Sequence, residues 1–403
     1  MNISVERSIA GSSGSGEPLA ADLLLDASIA PGASGWDGCP PREVLLTGAT
    51  GFLGGHILEQ LLRRTTAQVH CLIRRAPGRA EDLLRHQLDQ YGLPEYDTTR
   101  VHALSGNLSS PLLGLGRERF DAIARTVDAI VHCGAWVNLA AHYEHLRAPN
   151  VGGTREVLRL ATTGRLKPVH HISTVGALFG GFERGLGVLA EDVDLPPPGA
   201  LGYARTKWAG EKLVAVARER GVPVVLHRPG VIFGDSRTGL APRADWLTHL
   251  TRLSLRTGFA PEHEFLMPVS TVDLIASAVA EMVGGCRGVN EVFHDVNAEP
   301  LHFDKYFDLV RASEPSLRRL PGPDWLRAIG EAPDVTPAEL ALARSLDLIL
   351  PTSPPGSAST YLDSTRFRCV ISEFGLHAPE IDARLIARFV ASMAHGNPTT
   401  YAG

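Results

Sequence analysis

The sequence lacks the features that mark zinc proteins, disulfide-stabilised proteins and membrane-spanning proteins. Its five cysteines are odd in number and scattered, and none forms a C-x-x-C pair, so neither a zinc site nor a disulfide framework is predicted. No uninterrupted apolar run reaches the roughly 20 residues that cross a bilayer. The start of the chain has no charged segment followed by an apolar core, so no secretion signal is predicted. These absences favour a cytoplasmic protein without a metal site.

An excess of charge and a hydrolase motif are also missing. The formal net charge is −5, which gives no reason to expect nucleic acid or an anionic membrane as a partner. No G-x-S-x-G nucleophile motif occurs, so hydrolysis is not predicted. The hydrophobic content of 44% and the charged content of 21% are typical of a globular protein. A chain of 403 residues is long enough for one large domain or two ordinary ones.

From residue 42 onward, near-continuous apolar runs alternate with helical patterns. The candidate strands are 44–46, 69–73, 101–104, 129–132, 169–172, 224–226 and 291–293. Helical patterns lie between most of them, for example at 52–63, 117–125, 150–162 and 203–220. Apolar strands separated by helices are typical of a parallel sheet that is covered on both faces. We therefore predict an α/β fold with a doubly wound parallel (Rossmann) sheet, an architecture that binds nucleotides.

The composition divides the chain further. Residues 1–40 read as a leader or linker, with a serine–glycine stretch at 12–16 and one short helix at 20–25. The predicted dinucleotide-binding domain is 41–235, completed by about 268–298. The predicted substrate-binding lobe, smaller and mainly helical, is 236–267 with 299–403. In that lobe Thr336-Pro337-Ala338-Glu339 is a capping box that predicts a helix to about Leu350, and 382–393 predicts a terminal helix.

A glycine-rich segment joins the first predicted strand to the first predicted helix. Its sequence is Thr47-Gly48-Ala49-Thr50-Gly51-Phe52-Leu53-Gly54, with a G-x-x-G-x-x-G spacing. A tight turn at this place needs residues without a Cβ, and the helix start then offers unpaired backbone N–H groups to a pyrophosphate. The segment therefore predicts a dinucleotide site.

The end of the second predicted strand indicates which dinucleotide binds. An NAD site usually has an acidic residue there, about 20 residues past the glycines. This chain has Arg74 and Arg75 instead, and Arg85 further on. A guanidinium suits a 2′-phosphate, so NADP(H) is favoured over NAD(H). The alternative is that these arginines only form the polar surface at the end of a strand.

Two further patterns suggest reduction chemistry. Tyr203 and Lys207 form a Y-x-x-x-K pair, and positions i and i+4 of a helix share one face. The ammonium is expected to lower the phenol pKa, and the phenol to donate a proton to a carbonyl during hydride transfer. Thr174 follows an apolar strand and is expected to hydrogen-bond the same carbonyl oxygen. The Ser173 hydroxyl is expected to hydrogen-bond a backbone group instead. The alternatives are a solvent-facing helix and a hydroxyl that caps the next turn.

Taken in order, these motifs resemble the extended short-chain dehydrogenases/reductases. More narrowly, they resemble the thioester reductase domains of nonribosomal peptide synthetases, polyketide synthases and carboxylic acid reductases. The resemblance covers about residues 20 to 300 and rests on a few segments. These are Asp22-Leu23-Leu24-Leu25-Asp26, the glycine segment with its flanks at 44–56, Cys71-Leu72-Ile73-Arg74, 106–115, His132-Cys133-Gly134-Ala135-Trp136-Val137-Asn138, Asn150-Val151-Gly152-Gly153-Thr154 and Arg228-Pro229-Gly230.

The resemblance implies a catalytic set of Thr174, Tyr203 and Lys207. It also implies a cofactor site for NADPH, in which the glycine segment would contact the pyrophosphate and Arg74 and Arg85 would hold the 2′-phosphate. Asn107 and Leu108 would line the adenine. Gly134, Ala135 and Trp136 would pass beneath the cofactor, and Pro229 and Gly230 would border the nicotinamide. The implied cofactor residues are Thr47, Gly48, Thr50, Gly51, Phe52, Leu53, Gly54, Arg74, Arg85, Asn107, Leu108, Gly134, Ala135, Trp136, Pro229 and Gly230. Asn107 departs from the aspartate often found there, but it keeps an acceptor, so binding is expected to survive.

The implied reaction is the NADPH-dependent release of an acyl or peptidyl thioester, held on the phosphopantetheine of a carrier protein, as an aldehyde. The motifs leave open whether a second hydride gives the alcohol, which acyl chain is bound, and the oligomeric state. Two alternatives stay open. One is a reductase of free acyl-CoA, of a sugar nucleotide or of a small ketone, and the other is a non-catalytic NADP(H)-sensing protein.

Overall fold

The computed structural model describes residues 20–32, 35–76, 78–93, 97–195, 197–199, 201–243, 245–350 and 358–394. The predicted serine–glycine linker at 12–16 lies outside these residues. Within them the strands are β1 (Glu43–Thr47), β2 (Gln68–Ile73), β3 (Val101–Ser105), β4 (Ala129–His132), β5 (Val169–Ile172), β6 (Leu186–Leu189), β7 (Val224–His227), β8 (Val231–Phe233), β9 (Phe259–Pro261), β10 (Leu266–Met267), β11 (Val269–Thr271), β12 (Val292–Phe293), β13 (Leu301–His302), β14 (Arg318–Leu320) and β15 (Ala358–Leu362).

The helices connect the strands and build most of the C-terminal part. They are α1 (Phe52–Arg64), α2 (Ala80–Gln90), α3 (Gly116–Thr126), α4 (Tyr143–Arg147), α5 (Gly153–Thr162), α6 (Phe179–Phe182), α7 (Gly202–Glu219), α8 (Trp246–Thr257), α9 (Val272–Gly284), α10 (Phe303–Ser313), α11 (Gly322–Gly330), α12 (Pro337–Arg344), α13 (Leu346–Ile349), α14 (Thr365–Glu373) and α15 (Ala383–Ala394). Short 3-10 helices lie at Thr98–Arg100, Pro111–Gly114 and Val175–Leu178, and Ala148–Gly152 forms a π-helical turn.

Seven strands form one sheet in the order β12-β7-β5-β4-β1-β2-β3, and every pair is parallel. The register places Thr47 opposite Leu72 on one side and His132 on the other, so these strands end at the same edge. Each predicted strand lies in this sheet, and the α/β, doubly wound prediction is confirmed. The strands were predictable because burial on both faces requires nearly every residue to be apolar.

The sheet is covered on both faces. Alternate residues of β1 divide between two apolar clusters: Leu45 packs with α3, α5 and α7, and Val44 and Leu46 pack with α1, α2 and α9. A third cluster forms the core of the C-terminal lobe, where Trp325, Tyr306 and other aromatic side chains are fully buried. The large sheet and the lobe thus have separate cores, and Val175 and Phe182 of the segment after β5 belong to the core of the lobe.

The segment before β1 packs on the sheet domain. Of the predicted helix at 20–25, the described residues are helical only at 20–22. Asp22 is buried and accepts hydrogen bonds from the Tyr143 hydroxyl (2.6 Å) and from Arg147 Nε. Arg220 donates to backbone carbonyls at Leu25, Asp26 and Ile29. Residues 20–32 are therefore held by charged hydrogen bonds rather than lying loosely on the surface.

The C-terminal lobe is mainly helical, as predicted, but short strands that the sequence pattern did not reveal occur in it and beside it. Two ribbons, β9 with β14 and β10 with β13, lie within the lobe. The β15 strand of the lobe pairs with β6, and β8 pairs with β11 outside the lobe. The Thr336–Glu339 capping box is present, but its helix stops at Arg344 and α13 follows after Ser345. The Ser345 hydroxyl donates to the Ala341 carbonyl, which satisfies the helix end there (2.8 Å).

Candidate active site

The glycine turn lies at the carboxyl end of β1, and two of its glycines have no room for a side chain. Gly48 has a φ of +83°, and a Cβ on it would lie 2.7 Å from the Gly134 nitrogen. A Cβ on Gly54, in the first turn of α1, would lie 2.6 Å from the Gly48 carbonyl carbon. The backbone therefore forms a close-packed cradle at the start of the helix, as a pyrophosphate site requires.

The first turn of α1 is open to an anion. Gly51 is its exposed N-cap, and no side chain caps the helix there. Thr50 and Phe52 are half-buried, while Leu53 and Gly54 are buried below them. Unpaired N–H groups and the positive end of the helix dipole both favour a phosphate at this place.

A buried hydrogen-bond network ties the turn to β4. Thr47 Oγ1 accepts from the Gly134 nitrogen (2.9 Å) and contacts His132 Nδ1 (2.8 Å). His132 Nε2 lies 3.2 Å from Thr154 Oγ1. Burial, with the Lys207 charge nearby, lowers the pKa of His132 to about 3, so the ring is neutral. Thr47 and His132 thus hold the loop that begins at Gly134 beside the glycine turn.

The end of β2 carries unpaired positive charge. Arg74 and Arg75 are exposed directly after this strand, and Arg85 is exposed on α2. Among the described residues, none of these three guanidinium groups forms an ion pair or a side-chain hydrogen bond. They are free to bind an anionic group at this edge.

The segment after β3 reaches toward the same edge. A Cβ on Gly134 would lie 2.8 Å from Leu108 Cδ1, so the half-buried Leu108 packs against the loop after β4. Asn107 Oδ1 accepts from the Ser109 nitrogen (3.0 Å). The asparagine therefore uses its carbonyl oxygen to stabilise the local turn.

Thr174, Tyr203 and Lys207 come from two adjoining elements. Lys207 Nζ donates to the Ile172 carbonyl (2.7 Å), which fixes α7 against the end of β5. A Cβ on Gly176 would lie 3.3 Å from Thr174 Cγ2 and 3.8 Å from Ala204 Cβ, next to Tyr203. The sequence-predicted residues are thus brought to one edge of the sheet.

The two hydroxyls after β5 behave differently from each other. Thr174 is half-buried, and its Oγ1 accepts from the Gly176 nitrogen (3.2 Å), so it does cap the next turn while its proton stays available. The Ser173 hydroxyl was predicted to hydrogen-bond a backbone group, but it donates to the Glu211 carboxylate instead (2.5 Å). The reason is that Glu211 projects from α7 onto the same strand end.

The acid–base properties differ in part from the prediction. Burial lowers the pKa of Lys207 to about 8, with Cys133 and Glu211 opposing the shift. Burial raises the pKa of the Tyr203 phenol, and the Cys133 thiol adds to the rise. The expected lowering by Lys207 is therefore wrong for this structure, because desolvation of the phenol is the main cause of the shift and Lys207 is not among the groups that change this pKa. A phenol with a raised pKa keeps its proton at neutral pH.

The sequence motifs did not reveal that Asn150 links two segments beside the predicted site. In the π-helical turn, its Oδ1 accepts from the Trp136 nitrogen (2.7 Å), and its Nδ2 donates to the Trp136 carbonyl (3.1 Å) and to Thr206 Oγ1 (3.0 Å). The amide thus joins the loop after β4 to α7, the helix that carries Tyr203 and Lys207. A π-turn often occurs at functional sites, but the sequence has no simple signal for it.

The remaining predicted cofactor residues lie on the loops after β4 and β7. Ala135 is half-buried and Trp136 is 46% exposed. The Pro229 carbonyl accepts from the Val175 nitrogen (2.9 Å), which ties this segment to the turn after Thr174. A Cβ on Gly230 would lie 2.7 Å from the Pro268 carbonyl carbon, so the backbone packs closely there as well.

Other kinds of site find no support in the described part of the chain. No group of three or more histidine, cysteine, aspartate or glutamate side chains there is placed to hold a metal ion. The neighbouring His170 and His171 of β5 lie against different partners, because the His170 ring stacks on His227 and the His171 ring lies beside His132. No helix among the described residues is long and apolar enough to span a bilayer.

The parallel sheet, the glycine cradle and the Thr–Tyr–Lys group define an oxidoreductase of the extended short-chain dehydrogenase/reductase class that binds a nicotinamide cofactor. The chain belongs to the male sterility protein family of NAD-binding domains, whose family model matches residues 46–279. Within that class it is a reductase domain of the nonribosomal peptide synthetase type, as the sequence motifs predicted.

Known proteins support this assignment. The terminal R domain of the myxalamid PKS-NRPS pathway has a TM-score of 0.84 and 36% identity, over 94% of this chain and 97% of that one. The reductase (R) domain of a nonribosomal peptide synthetase from Mycobacterium tuberculosis has a TM-score of 0.72 and 26% identity, over 96% of each chain. The isonitrile lipopeptide synthase from Streptomyces coeruleorubidus is 34% identical over 92% of this chain.

The similarity covers only part of the longer relatives. The match spans 26% of the isonitrile lipopeptide synthase, and from 7% to 38% of other curated relatives. The chain therefore corresponds to one domain of such proteins.

Proposed function

We propose that this chain is an NADPH-dependent reductase that releases a carrier-bound acyl or peptidyl thioester as an aldehyde. The observation that carries the proposal is the 2.7 Å hydrogen bond from Lys207 Nζ to the Ile172 carbonyl. It joins the Tyr203–Lys207 helix to the end of β5, two residues before Thr174, on the edge of the sheet where the glycine cradle opens. In open parallel sheets, ligands bind at this edge.

In the proposed reaction, Thr174 and Tyr203 stabilise the charge that develops on the thioester carbonyl oxygen, and Tyr203 also acts as the acid. NADPH, when bound, supplies the hydride that the thioester carbonyl carbon accepts. Thr174 and Tyr203 donate hydrogen bonds to the carbonyl oxygen as negative charge develops on it. Because burial keeps the Tyr203 phenol protonated, it has a proton to give to that oxygen. Collapse of the resulting thiohemiacetal breaks the C–S bond and leaves the aldehyde and the carrier thiol.

The choice of NADPH rests on the arginines after β2. The glycine cradle and the open start of α1 suit the pyrophosphate of either dinucleotide. Arg74 and Arg85 are exposed and, among the described residues, have no protein anion to neutralise them. A 2′-phosphate would supply that anion, whereas a ribose hydroxyl would leave the charge unmatched.

The carrier protein is proposed from the kind of protein in which the relatives occur. The Mycobacterium tuberculosis domain belongs to a nonribosomal peptide synthetase. We propose a substrate tethered to the phosphopantetheine of such a carrier, bound between the sheet domain (41–235 with 268–298) and the lobe formed by 236–267 and 299–403. All five cysteines are free thiols, which suits a reducing, cytoplasmic setting.

Product analysis by mass spectrometry tests the proposal. Candidate carrier thioesters and the matching acyl-CoA are incubated with NADPH or with NADH. We expect the aldehyde from the carrier thioester with NADPH. Tyr203→Phe should lower kcat by about 10²–10⁴-fold, whereas Glu219→Gln, exposed at the end of the same helix, should leave kcat unchanged.

Three results would contradict the proposal. If free acyl-CoA is reduced as fast as the carrier thioester, the chain acts on free substrates. If Tyr203→Phe consumes NADPH at the wild-type rate, the proposed proton donor is wrong. If the wild-type protein binds NADPH but reduces neither substrate, a sensing role is favoured.

A further inference from the structure

A buried carboxylate behind the catalytic helix has no part in the reaction described above. Glu211 lies in α7, one turn after Lys207, and it is buried. Its Oε1 accepts from Ser173 Oγ (2.5 Å), and its Oε2 accepts from Arg228 Nη2 (2.7 Å), with Arg228 Nε 3.2 Å from both oxygens. Ser173 and Arg228 are buried too. Such a fully paired buried charge is costly to build and to break.

The partners of Glu211 lie directly beside the reacting groups. Ser173 precedes Thr174 in the chain, and Arg228 precedes the Pro229–Gly230 segment. The backbone joins the same two strand ends, because the Ser173 nitrogen donates to the His227 carbonyl (2.7 Å). One carboxylate therefore connects the strand end of Thr174, the helix of Lys207 and the loop after β7.

The network also reaches the C-terminal lobe. Arg228 Nη1 donates to the Glu191 carbonyl (2.8 Å). The Glu191 carboxylate accepts from the backbone nitrogens of Arg366 and Phe367 at the start of α14 (3.2 and 3.3 Å). Arg228 is thus fixed from two sides, and loss of Glu211 would leave its charge buried without a carboxylate partner.

We propose that Glu211 is a positioning residue, which through Ser173 and Arg228 holds Thr174 and Lys207 in the arrangement that carbonyl reduction requires. The proposal rests on the reductase function proposed above. Glu211 touches neither reacting atoms nor cofactor residues, so its effect is transmitted by the hydrogen bonds named here. Its negative charge also opposes the effect of burial on the pKa of Lys207, and so helps to keep the ammonium protonated.

The kinetic test compares three variants. Glu211→Gln keeps the shape but removes the charge, and we expect kcat to fall about tenfold or more, with the KM for NADPH within about threefold. The alkaline limb of kcat/KM should move down by about one pH unit, because loss of a nearby anion lowers the pKa of an ammonium. Ser173→Ala should lower kcat without moving that limb. Glu219→Gln, exposed at the end of the same helix, should match the wild type.

A second readout needs no substrate. The chain has only four lysines, so NMR of 13C-lysine-labelled protein can follow Lys207, assigned with Lys207→Arg. We expect the Lys207 titration to move to lower pH in Glu211→Gln. If the wild-type protein reduces no thioester, the proposed function fails, and this titration still decides the role of Glu211.

The proposal is overturned if folded Glu211→Gln keeps the wild-type kcat and the wild-type titration of Lys207. It is also overturned if kcat falls only in proportion to the unfolded fraction measured by circular dichroism. If Glu211→Gln does not fold, the kcat values of Ser173→Ala and of Glu211→Asp, which keeps the charge, test the proposal instead. Wild-type kcat in both would overturn the proposal, and a reduced kcat in both with a native fold would support it.

Discussion

Substitution of Gly54 by alanine should damage the cofactor cradle without damaging the sheet. The new Cβ would lie 2.6 Å from the Gly48 carbonyl carbon, whereas carbon atoms in contact lie about 3.5–4.0 Å apart. Either α1 or the turn must therefore move by about 1 Å. Gly48 cannot yield easily, because it already packs against Gly134.

The magnitude follows from what this displacement breaks. Overpacking of a tight site costs about 1–3 kcal/mol of folding stability. The displaced turn would also misalign backbone N–H groups that are proposed to bind the pyrophosphate, and hydrogen bonds to a charged group contribute about 1.5–3 kcal/mol each. Loss of one such bond weakens NADPH binding by about 10- to 100-fold.

Gly55→Ala provides the matched control one residue further along the helix. A Cβ there would meet Leu88 Cδ2 at 3.2 Å, the end of a flexible side chain rather than backbone. Since alanine is favoured over glycine in a helix interior by about 0.5–1 kcal/mol, little or no stability should be lost.

The assay is NADPH binding by fluorescence, with thermal unfolding measured in parallel. We expect a Kd raised at least tenfold for Gly54→Ala and nearly unchanged for Gly55→Ala. A folded Gly54→Ala protein that binds NADPH as tightly as the wild type would refute the assignment of this turn to the pyrophosphate.

Three further predictions concern other parts of the site. Arg74→Ala should raise the KM for NADPH about tenfold and leave that for NADH unchanged; equal effects in steady-state kinetics would argue against a 2′-phosphate contact. Because the pKa of Lys207 is about 8, kcat/KM should be full below that pH and fall as the ammonium is lost above it; a flat profile from pH 7 to 10 would contradict this. Asp22→Asn should lower the free energy of unfolding by about 1–3 kcal/mol, since the buried Tyr143 hydroxyl and Arg147 lose their carboxylate; an unchanged melting temperature would count against it.

The sheet and the motif positions could be predicted from the sequence because each depends on local pattern. Buried parallel strands require apolar runs, and the turn after β1 requires glycine at Gly48 and Gly54. The two-stranded ribbons could not be predicted, because strands of two to five residues such as β10 and β15 are defined by their partners rather than by their own pattern.

The finer features of the site depend on tertiary contacts. Asn150 and Glu211 look like ordinary helix residues in the sequence, and only the folded chain shows what they join. The raised pKa of Tyr203 follows from burial, which a Y-x-x-x-K spacing does not reveal. The motifs indicated the candidate residues, but their pKa values depend on desolvation and on nearby charges, which only the structure shows.

The central claim is that hydride passes from NADPH to the carbonyl carbon of a carrier-bound thioester. Its most direct test is a reaction with NADPH deuterated at the transferable C4 position, with mass spectrometry of the released product. The account predicts an aldehyde with one deuterium on its carbonyl carbon, formed with release of the carrier thiol. Release of an unlabelled product, or of the free acid, would contradict it.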